Sequence, residues 1–93
     1  MKRCLKIQVS GKVQGVGYRA FAQKHAQSLE IEGTIQNAED GSVVIYASGK
    51  GPNLDKFIDA LYQGTSTCKI KELIAEPLMH EKDFRGVFRI IGD

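Results

Sequence analysis

The chain has 93 residues, of which 42% are hydrophobic and 26% are charged, and its formal net charge is +2 at pH 7. This length permits one modest hydrophobic core, so we expect a single domain over residues 1–93. The small net charge argues against a protein that holds a nucleic-acid backbone, and the composition is that of a soluble globular domain rather than a disordered or fibrous chain.

The sequence carries no targeting signal and no metal-binding signal. No apolar run approaches the length needed to cross a bilayer, and Met1-Lys2-Arg3 precedes an alternating segment rather than the apolar core of a signal peptide. Cys4 and Cys68 lie far from each other and from both histidines, so no metal-ligand spacing is present. We therefore expect a cytoplasmic protein without a metal or a membrane partner, whose cysteines are reduced and partly buried.

The first half of the chain predicts a strand, a helix and two further strands. Apolar and polar residues alternate over 5–10, which indicates a strand buried on one face. Apolar residues then recur at three- and four-residue steps, as in an amphipathic helix. This face comprises the apolar residues Tyr18, Phe21, Ala22, Ala26 and Leu29, together with His25. Two short strands over 33–37 and 42–47 flank the residues 38–41, whose Asp-Gly pair is typical of a hairpin turn.

The second half predicts a helix followed by two strands. Residues 49–52, Gly-Lys-Gly-Pro, break the preceding strand, and apolar residues at helical spacing follow until Gly64 offers a C-terminal cap. These apolar residues are Leu54, Phe57, Ile58 and Leu61. A fourth strand is predicted over 69–76, where two apolar residues three apart indicate a bulge or an altered register. A fifth strand is predicted over 84–91.

This order of elements predicts an α+β protein with a ferredoxin-like fold built on split βαβ units. Two helices cover one face of an antiparallel sheet, and the fifth strand extends the sheet at the C-terminus. The first and fourth strands should be antiparallel neighbours, which puts Cys4 and Cys68 toward opposite ends of the sheet. We therefore expect two free thiols.

A glycine-rich loop, GKVQGVGYR over residues 11–19, joins the first strand to the first helix. Glycines let consecutive backbone N–H groups converge, and a helix N-terminus adds partial positive charge, so such a loop can bind an anion. Arg19 lies in the first turn of the helix, where its planar guanidinium can pair with phosphate or carboxylate. The glycines could also serve a tight turn alone, since their spacing is neither that of the P-loop nor that of the dinucleotide-binding motif.

A second motif, GTIQNAEDGSV, occupies residues 33–43. Together with GKVQGVGYR, in this order and spacing and on a strand-helix-strand-strand frame, it resembles the acylphosphatase family over nearly the whole chain. The resemblance implies hydrolysis of the carboxyl-phosphate bond of acylphosphates to a carboxylate and inorganic phosphate, without a metal or a cofactor. Nothing in the sequence indicates an obligate partner, so we expect a monomer.

The resemblance also implies roles for individual residues. Arg19 falls on the position of the family's phosphate-binding arginine, and Asn37 on that of the asparagine that orients the attacking water. The main-chain N–H groups of the loop would form the phosphate cradle. These loop residues are Gln14, Gly15, Val16, Gly17, Tyr18 and Arg19. Because an acylphosphate is already activated, positioning and charge stabilisation can suffice, and the lack of a serine, histidine and aspartate constellation counts little against the assignment.

Other interpretations stay open. The same fold frame carries non-enzymatic RNA-binding and ligand-binding modules, and an acylphosphatase-like domain could bind anions yet turn over poorly. Asn37 taken alone would more simply bond to the backbone of its own hairpin. The chain also departs from the common family pattern, with Glu30 in place of glycine, Thr34 in place of tryptophan and Thr65 in place of proline. Tyr18 is expected to pack beneath the loop.

Overall fold

Five strands and two helices make up the fold of the residues that the computed structural model describes, 2–79 and 82–92. The elements are β1 (Lys2–Lys12), α1 (Tyr18–Ser28), β2 (Glu32–Asn37), β3 (Val43–Lys50), α2 (Gly51–Gln63), β4 (Lys69–Pro77) and β5 (Phe88–Ile91). Their order along the chain is the predicted one.

The five strands form one sheet in the order β4-β1-β3-β2-β5. β1 lies antiparallel to both β3 and β4, and β2 lies antiparallel to β3. α1 packs against β2 and β5, α2 packs against β3 and β4, and the helices contact each other. Both helices therefore cover the same face of the sheet, and the predicted ferredoxin-like fold is confirmed.

The sheet is mixed, whereas the sequence predicted an antiparallel one. β5 runs parallel to β2, with Phe88 opposite Gly33. The physical reason is the place where β4 ends, because Pro77 pairs with Leu5, at the end of the sheet where β1 and β2 both begin. The chain enters β5 from that same end, so β5 must run in the direction of β2.

The boundary between β3 and α2 differs from the prediction. Residues 49–52 do not break the strand, since β3 continues through Lys50 and α2 begins at Gly51 without an intervening loop. Pro52 lies in the first turn of α2, where its missing N–H leaves no hydrogen bond unmade. Gly64 caps the other end of α2 as predicted, and its N–H donates to the carbonyl of Ala60.

The fifth strand is shorter than the predicted range of 84–91. Arg85 and Gly86 have φ values of 57° and 74°, in the left-handed region that an extended strand excludes. The N–H of Val87 donates to the carbonyl of Phe84 at 3.3 Å, which closes a turn over these residues. The strand can therefore begin only at Phe88.

The predicted irregularity in β4 is a bulge. The register with β1 shifts between Ser10 and Gly11, opposite Lys71, which is left without a partner in β1. The extra residue allows Ile70 and Leu73 to pack against the same core although they lie three apart in the chain.

The hydrophobic core lies between the sheet and the two helices. Its largest fully buried side chains are Tyr18, Phe57, Ile7, Ile35, Ile45, Leu54, Leu61, Val9, Val13 and Val43. Cys4 and Cys68 are both buried free thiols. Cys4 lies near the start of β1, whereas Cys68 precedes the first residue of β4, which pairs with Lys12 at the end of β1. Their predicted separation is confirmed.

α1 ends in a Schellman motif that places Glu30 in the left-handed region. The N–H of Ile31 donates to the carbonyl of Ala26 at 2.8 Å, and the N–H of Glu30 donates to the carbonyl of Gln27 at 3.2 Å. The φ value of Glu30 is 55°. Glycine usually fills this position, because a Cβ is unfavourable there.

Replacing Glu30 with glycine should stabilise the protein. A side chain in the left-handed region costs about 1–2 kcal/mol, and the greater freedom of glycine in the unfolded chain offsets part of the gain. We expect Glu30→Gly to raise the free energy of unfolding by about 0.5–1 kcal/mol, measured by urea denaturation. Glu30→Ala keeps a Cβ at the same φ and serves as the control. An equal gain in both variants would show that backbone strain is not the cause.

Candidate active site

Two left-handed glycines shape the loop between β1 and α1. Gly15 and Gly17 have φ values of 72° and 79°, and a Cβ at either position would meet no atom within 4 Å. The need for glycine is therefore conformational rather than steric, because other residues rarely adopt these φ values. Gly17 is also the N-cap of α1.

The backbone N–H groups of this loop are not used within the protein. Among the described residues, no acceptor receives a hydrogen bond from the N–H groups of residues 14–19. The first turn of α1 contains no acidic residue, and no side chain caps it. The partial positive charge of the helix N-terminus therefore adds to a row of free donors, an arrangement that attracts an anion.

Arg19 extends from the first turn of α1 over the end of the sheet. Its Nη1 donates to the carbonyl of Ile91 in β5 at 3.5 Å, a long and weak contact. Ile91 pairs with Gln36 of β2, so the guanidinium lies near the strand position that precedes Asn37. No carboxylate among the described residues forms an ion pair with Arg19. Its charge is therefore free to bind an anion.

A small concavity joins this arginine to the loop. Its volume is about 200 Å³, and its lining includes Gly15, Gly17, Arg19 and Ile90. A larger cavity of about 730 Å³ lies at the opposite end of the sheet, near the start of β1, and contains none of the predicted site residues. Its size alone does not make it the site, because the free donors and Arg19 lie at the loop.

Asn37 is the last residue of β2 and lies on the face of the sheet that carries the helices. Ile35, two residues earlier on the same face, is fully buried in the core. Oδ1 of Asn37 is buried, and no donor among the described residues reaches it. The side chain is therefore not engaged by its own hairpin, although the simpler interpretation of the sequence predicted such a bond.

The hairpin after Asn37 forms as predicted. The N–H of Ala38 donates to the carbonyl of Ser42 at 2.8 Å, and Gly41 has a φ of 92°. Asp40 Oδ1 accepts hydrogen bonds from the Ser42 N–H at 2.9 Å and from the Ser42 hydroxyl at 2.6 Å. The hydroxyl bond and then the backbone bond lower the pKa of Asp40 below its ordinary value. Asp40 thus closes the turn.

The side chain of Gln14 joins the loop to this hairpin, a contact that the sequence did not predict. Its Nε2 donates to the carbonyls of Ala38 at 2.9 Å and Ser42 at 2.8 Å. Gln14 was predicted only for its main-chain N–H. A polar residue in a binding loop gives no sign in the sequence of which distant carbonyl it contacts.

Tyr18 packs beneath the loop, as predicted. Its side chain is 1% exposed, and its hydroxyl donates to the carbonyl of Leu61 at 2.8 Å. Burial, and then the charge of Cys68, raise the pKa of Tyr18 well above its ordinary range, so its hydroxyl stays a neutral donor. Tyr18 therefore ties the start of α1 to the end of α2.

Residues 2–79 and 82–92 contain neither a metal-ligand cluster nor a membrane-spanning helix. No cluster of three or more histidine, cysteine, aspartate or glutamate side chains is arranged to hold a metal ion. Neither helix is long and apolar enough to span a bilayer.

The fold and the loop define a small α+β domain with a row of free backbone donors at one end of its sheet, and comparison with known proteins identifies the family. The Acylphosphatase family model matches residues 5–90. Acylphosphatases of Clostridium acetobutylicum and Lacticaseibacillus paracasei are 41% and 39% identical to the chain, over 95% and 99% of its length and 99% of each relative. The crystal structure of acylphosphatase from Bacillus subtilis superposes with a TM-score of 0.92 at 30% identity, covering 99% of this chain and all of the other.

The chain therefore belongs to the acylphosphatase family, and it is an enzyme that hydrolyses acylphosphates.

The bonds of Asp40 predict a pH dependence of stability. Because the folded-state pKa lies below the unfolded one, the stabilisation is fully present above the ordinary value of 3.8 and is lost as the pH falls through the folded pKa. We expect Asp40→Ala to lower the free energy of unfolding at neutral pH, and the difference from wild type to shrink below that value.

Urea denaturation over a pH series measures this difference. Glu39→Ala changes the neighbouring carboxylate of the same turn, which makes no side-chain hydrogen bond among the described residues, and it should have a smaller effect. A difference for Asp40→Ala that is the same at neutral and acid pH would contradict the assignment.

Proposed function

We propose that the loop of residues 14–19 and the Arg19 guanidinium bind the phosphoryl group of an acylphosphate, while Asn37 orients the attacking water. The observation that carries this proposal is the row of unengaged N–H groups beside Arg19, at the positive end of α1. Acylphosphate hydrolysis supplies a matching ligand, because the phosphoryl oxygens are anionic in the substrate and in the product.

The loop and Arg19 would stabilise charge on the three phosphoryl oxygens. Backbone donors and a guanidinium fixed around these oxygens need little reorganisation during the reaction, so they can favour the transition state. A guanidinium stays charged across the physiological pH range, so this contribution does not depend on a proton equilibrium at Arg19.

The role of Asn37 follows from its position and its free acceptor. Oδ1 is buried and has no donor among the described residues, so the side-chain amide gains a hydrogen bond when it binds a water beside the end of β2. The water oxygen forms the new bond to phosphorus. The bond from phosphorus to the acyl oxygen breaks, its electron pair leaves with the carboxylate, and the water proton passes to a phosphoryl oxygen.

The proposed reaction needs no metal, no cofactor and no macromolecular partner. The leaving carboxylate is stable without protonation, so the reaction proceeds with no metal and no cofactor, and inorganic phosphate competes with the substrate for the loop. The enzyme acts as a cytoplasmic monomer on small-molecule acylphosphates, without nucleic acid or a membrane as partner. The small net charge of +2 supports the absence of a nucleic-acid partner.

Substitution of the two side chains should separate binding from turnover. Removal of one well-aimed electrostatic donor typically lowers kcat by about 100- to 1,000-fold, and Arg19→Ala should lose more because it also weakens phosphate binding. Asn37→Ala should lower kcat while the inhibition constant of inorganic phosphate stays within about twofold. Hydrolysis of benzoyl phosphate in the presence of a chelator, with and without inorganic phosphate, measures both quantities.

Matched controls are available at the other end and on the other face of the sheet. Arg89→Ala removes an arginine from the helix-free face of β5, and Asn53→Ala removes an asparagine beside the large distal cavity. Neither should change kcat. Activity that requires a metal, or that survives both Arg19→Ala and Asn37→Ala, would defeat the proposal. Equal loss of phosphate affinity in these two variants would contradict the division of roles.

A further inference from the structure

The side-chain amide of Gln14 uses both of its hydrogens on the hairpin that follows Asn37. They go to the carbonyls of Ala38 and Ser42, at 2.9 and 2.8 Å. Each carbonyl already accepts one bond within the turn, from the N–H of Gly41 at 3.2 Å and from that of Ala38 at 2.8 Å, respectively. Gln14 therefore occupies the second acceptor position of both carbonyls that close the turn.

This contact links two parts of the site that the sheet itself does not join. The loop follows β1 and the turn follows β2, and β3 lies between these strands. Among the described residues, the two bonds of Gln14 are the hydrogen bonds that run between the loop and the turn. They span 24 and 28 residues of sequence and are partly buried.

We propose that Gln14 is a positioning residue that sets the distance and orientation between the phosphate cradle and Asn37. This inference rests on the proposed function, in which the loop holds phosphorus and Asn37 holds water. In-line attack depends on that geometry, and a misplacement of about 1 Å can lower the rate by about 100-fold. The side chain of Gln14 acts through the hairpin and touches neither substrate nor water.

The cradle itself should persist without this side chain. The hydroxyl of Thr67 donates to the carbonyl of Val16 at 3.2 Å, which holds the loop from its other side. The left-handed conformations of Gly15 and Gly17 do not involve Gln14. Loss of the Gln14 amide should therefore affect turnover more than phosphate binding.

Gln8 provides a matched control. Its Nε2 donates to the Ser42 hydroxyl at 3.2 Å, so it contacts the same hairpin, but from β1 rather than from the loop. Gln8→Met and Gln14→Met each replace an amide by a side chain of similar length without donors. A merely structural role for Gln14 predicts similar losses of stability and similar activities in the two variants.

Kinetics of benzoyl phosphate hydrolysis test the inference. We expect Gln14→Met to lower kcat by about tenfold, which is less than the loss of about 100-fold that a misplacement of about 1 Å can cause. KM and the inhibition constant of inorganic phosphate should stay within about twofold of the wild-type values. Gln8→Met should keep the wild-type kcat, and urea denaturation verifies that both variants fold. In an Asn37→Ala background, Gln14→Met should lower kcat less than about twofold further, because the residue that it positions is absent.

Gln14→Glu gives a second measurement that does not depend on lost packing. Its carboxylate would face two carbonyl oxygens, whereas its protonated form can donate one hydrogen bond. The kcat of Gln14→Glu relative to wild type should therefore rise as the pH is lowered. A constant ratio across the pH range would count against the inference.

The outcomes separate this inference from the proposed function. Equal kcat values for Gln14→Met and Gln8→Met, or a loss of phosphate affinity that parallels the loss of kcat, would overturn the positioning role. If Asn37→Ala lowers turnover and Gln14→Met does not, the inference alone fails. If Asn37→Ala keeps the wild-type kcat, the proposed function is wrong in the role that it gives to Asn37.

Discussion

The left-handed conformation of two glycines is the constraint on which the whole site depends. Gly15 and Gly17 turn the backbone between β1 and α1 so that its N–H groups find no acceptor within the described residues. Unpaired donors next to a helix N-terminus are unfavourable unless water or an anion binds them. The main chain of the loop therefore offers donors that favour an anion, and Arg19 adds a permanent charge beside them.

The sheet brings the other parts of the site to this loop. β1 and β2 run in the same direction, so the loop that follows one and the Asn37 that ends the other lie at the same end of the sheet. Because α1 packs on β2 and β5, Arg19 in its first turn lies over the strand ends. Tyr18 fixes the start of this helix to α2. The frame thus brings one loop, one position in the first turn of α1 and one strand end to the same place.

The sequence predicted most of the fold, because periodicity and turn residues are local signals. The Asp-Gly hairpin, the Gly64 cap and the bulge in β4 could each be derived from neighbouring residues. The direction of β5 could not, because it depends on where β4 ends in space. Nor could the late start of β5 at Phe88, because the left-handed φ of Arg85 is unusual for arginine. The roles of Arg19 and Asn37 came from family resemblance and stay predictions.

The two ends of the sheet carry different features, so residues can be added at one end without altering the other. The loop, the hairpin and Arg19 lie at one end, whereas the end of β4, the start of β5 and the large cavity lie at the other. Additions at the distal end would alter neither the glycine turn nor the strand ends that surround it. The domain can thus form part of a longer polypeptide, or gain a docking partner at its distal end, without any change in the loop and the strand ends at the other end of the sheet.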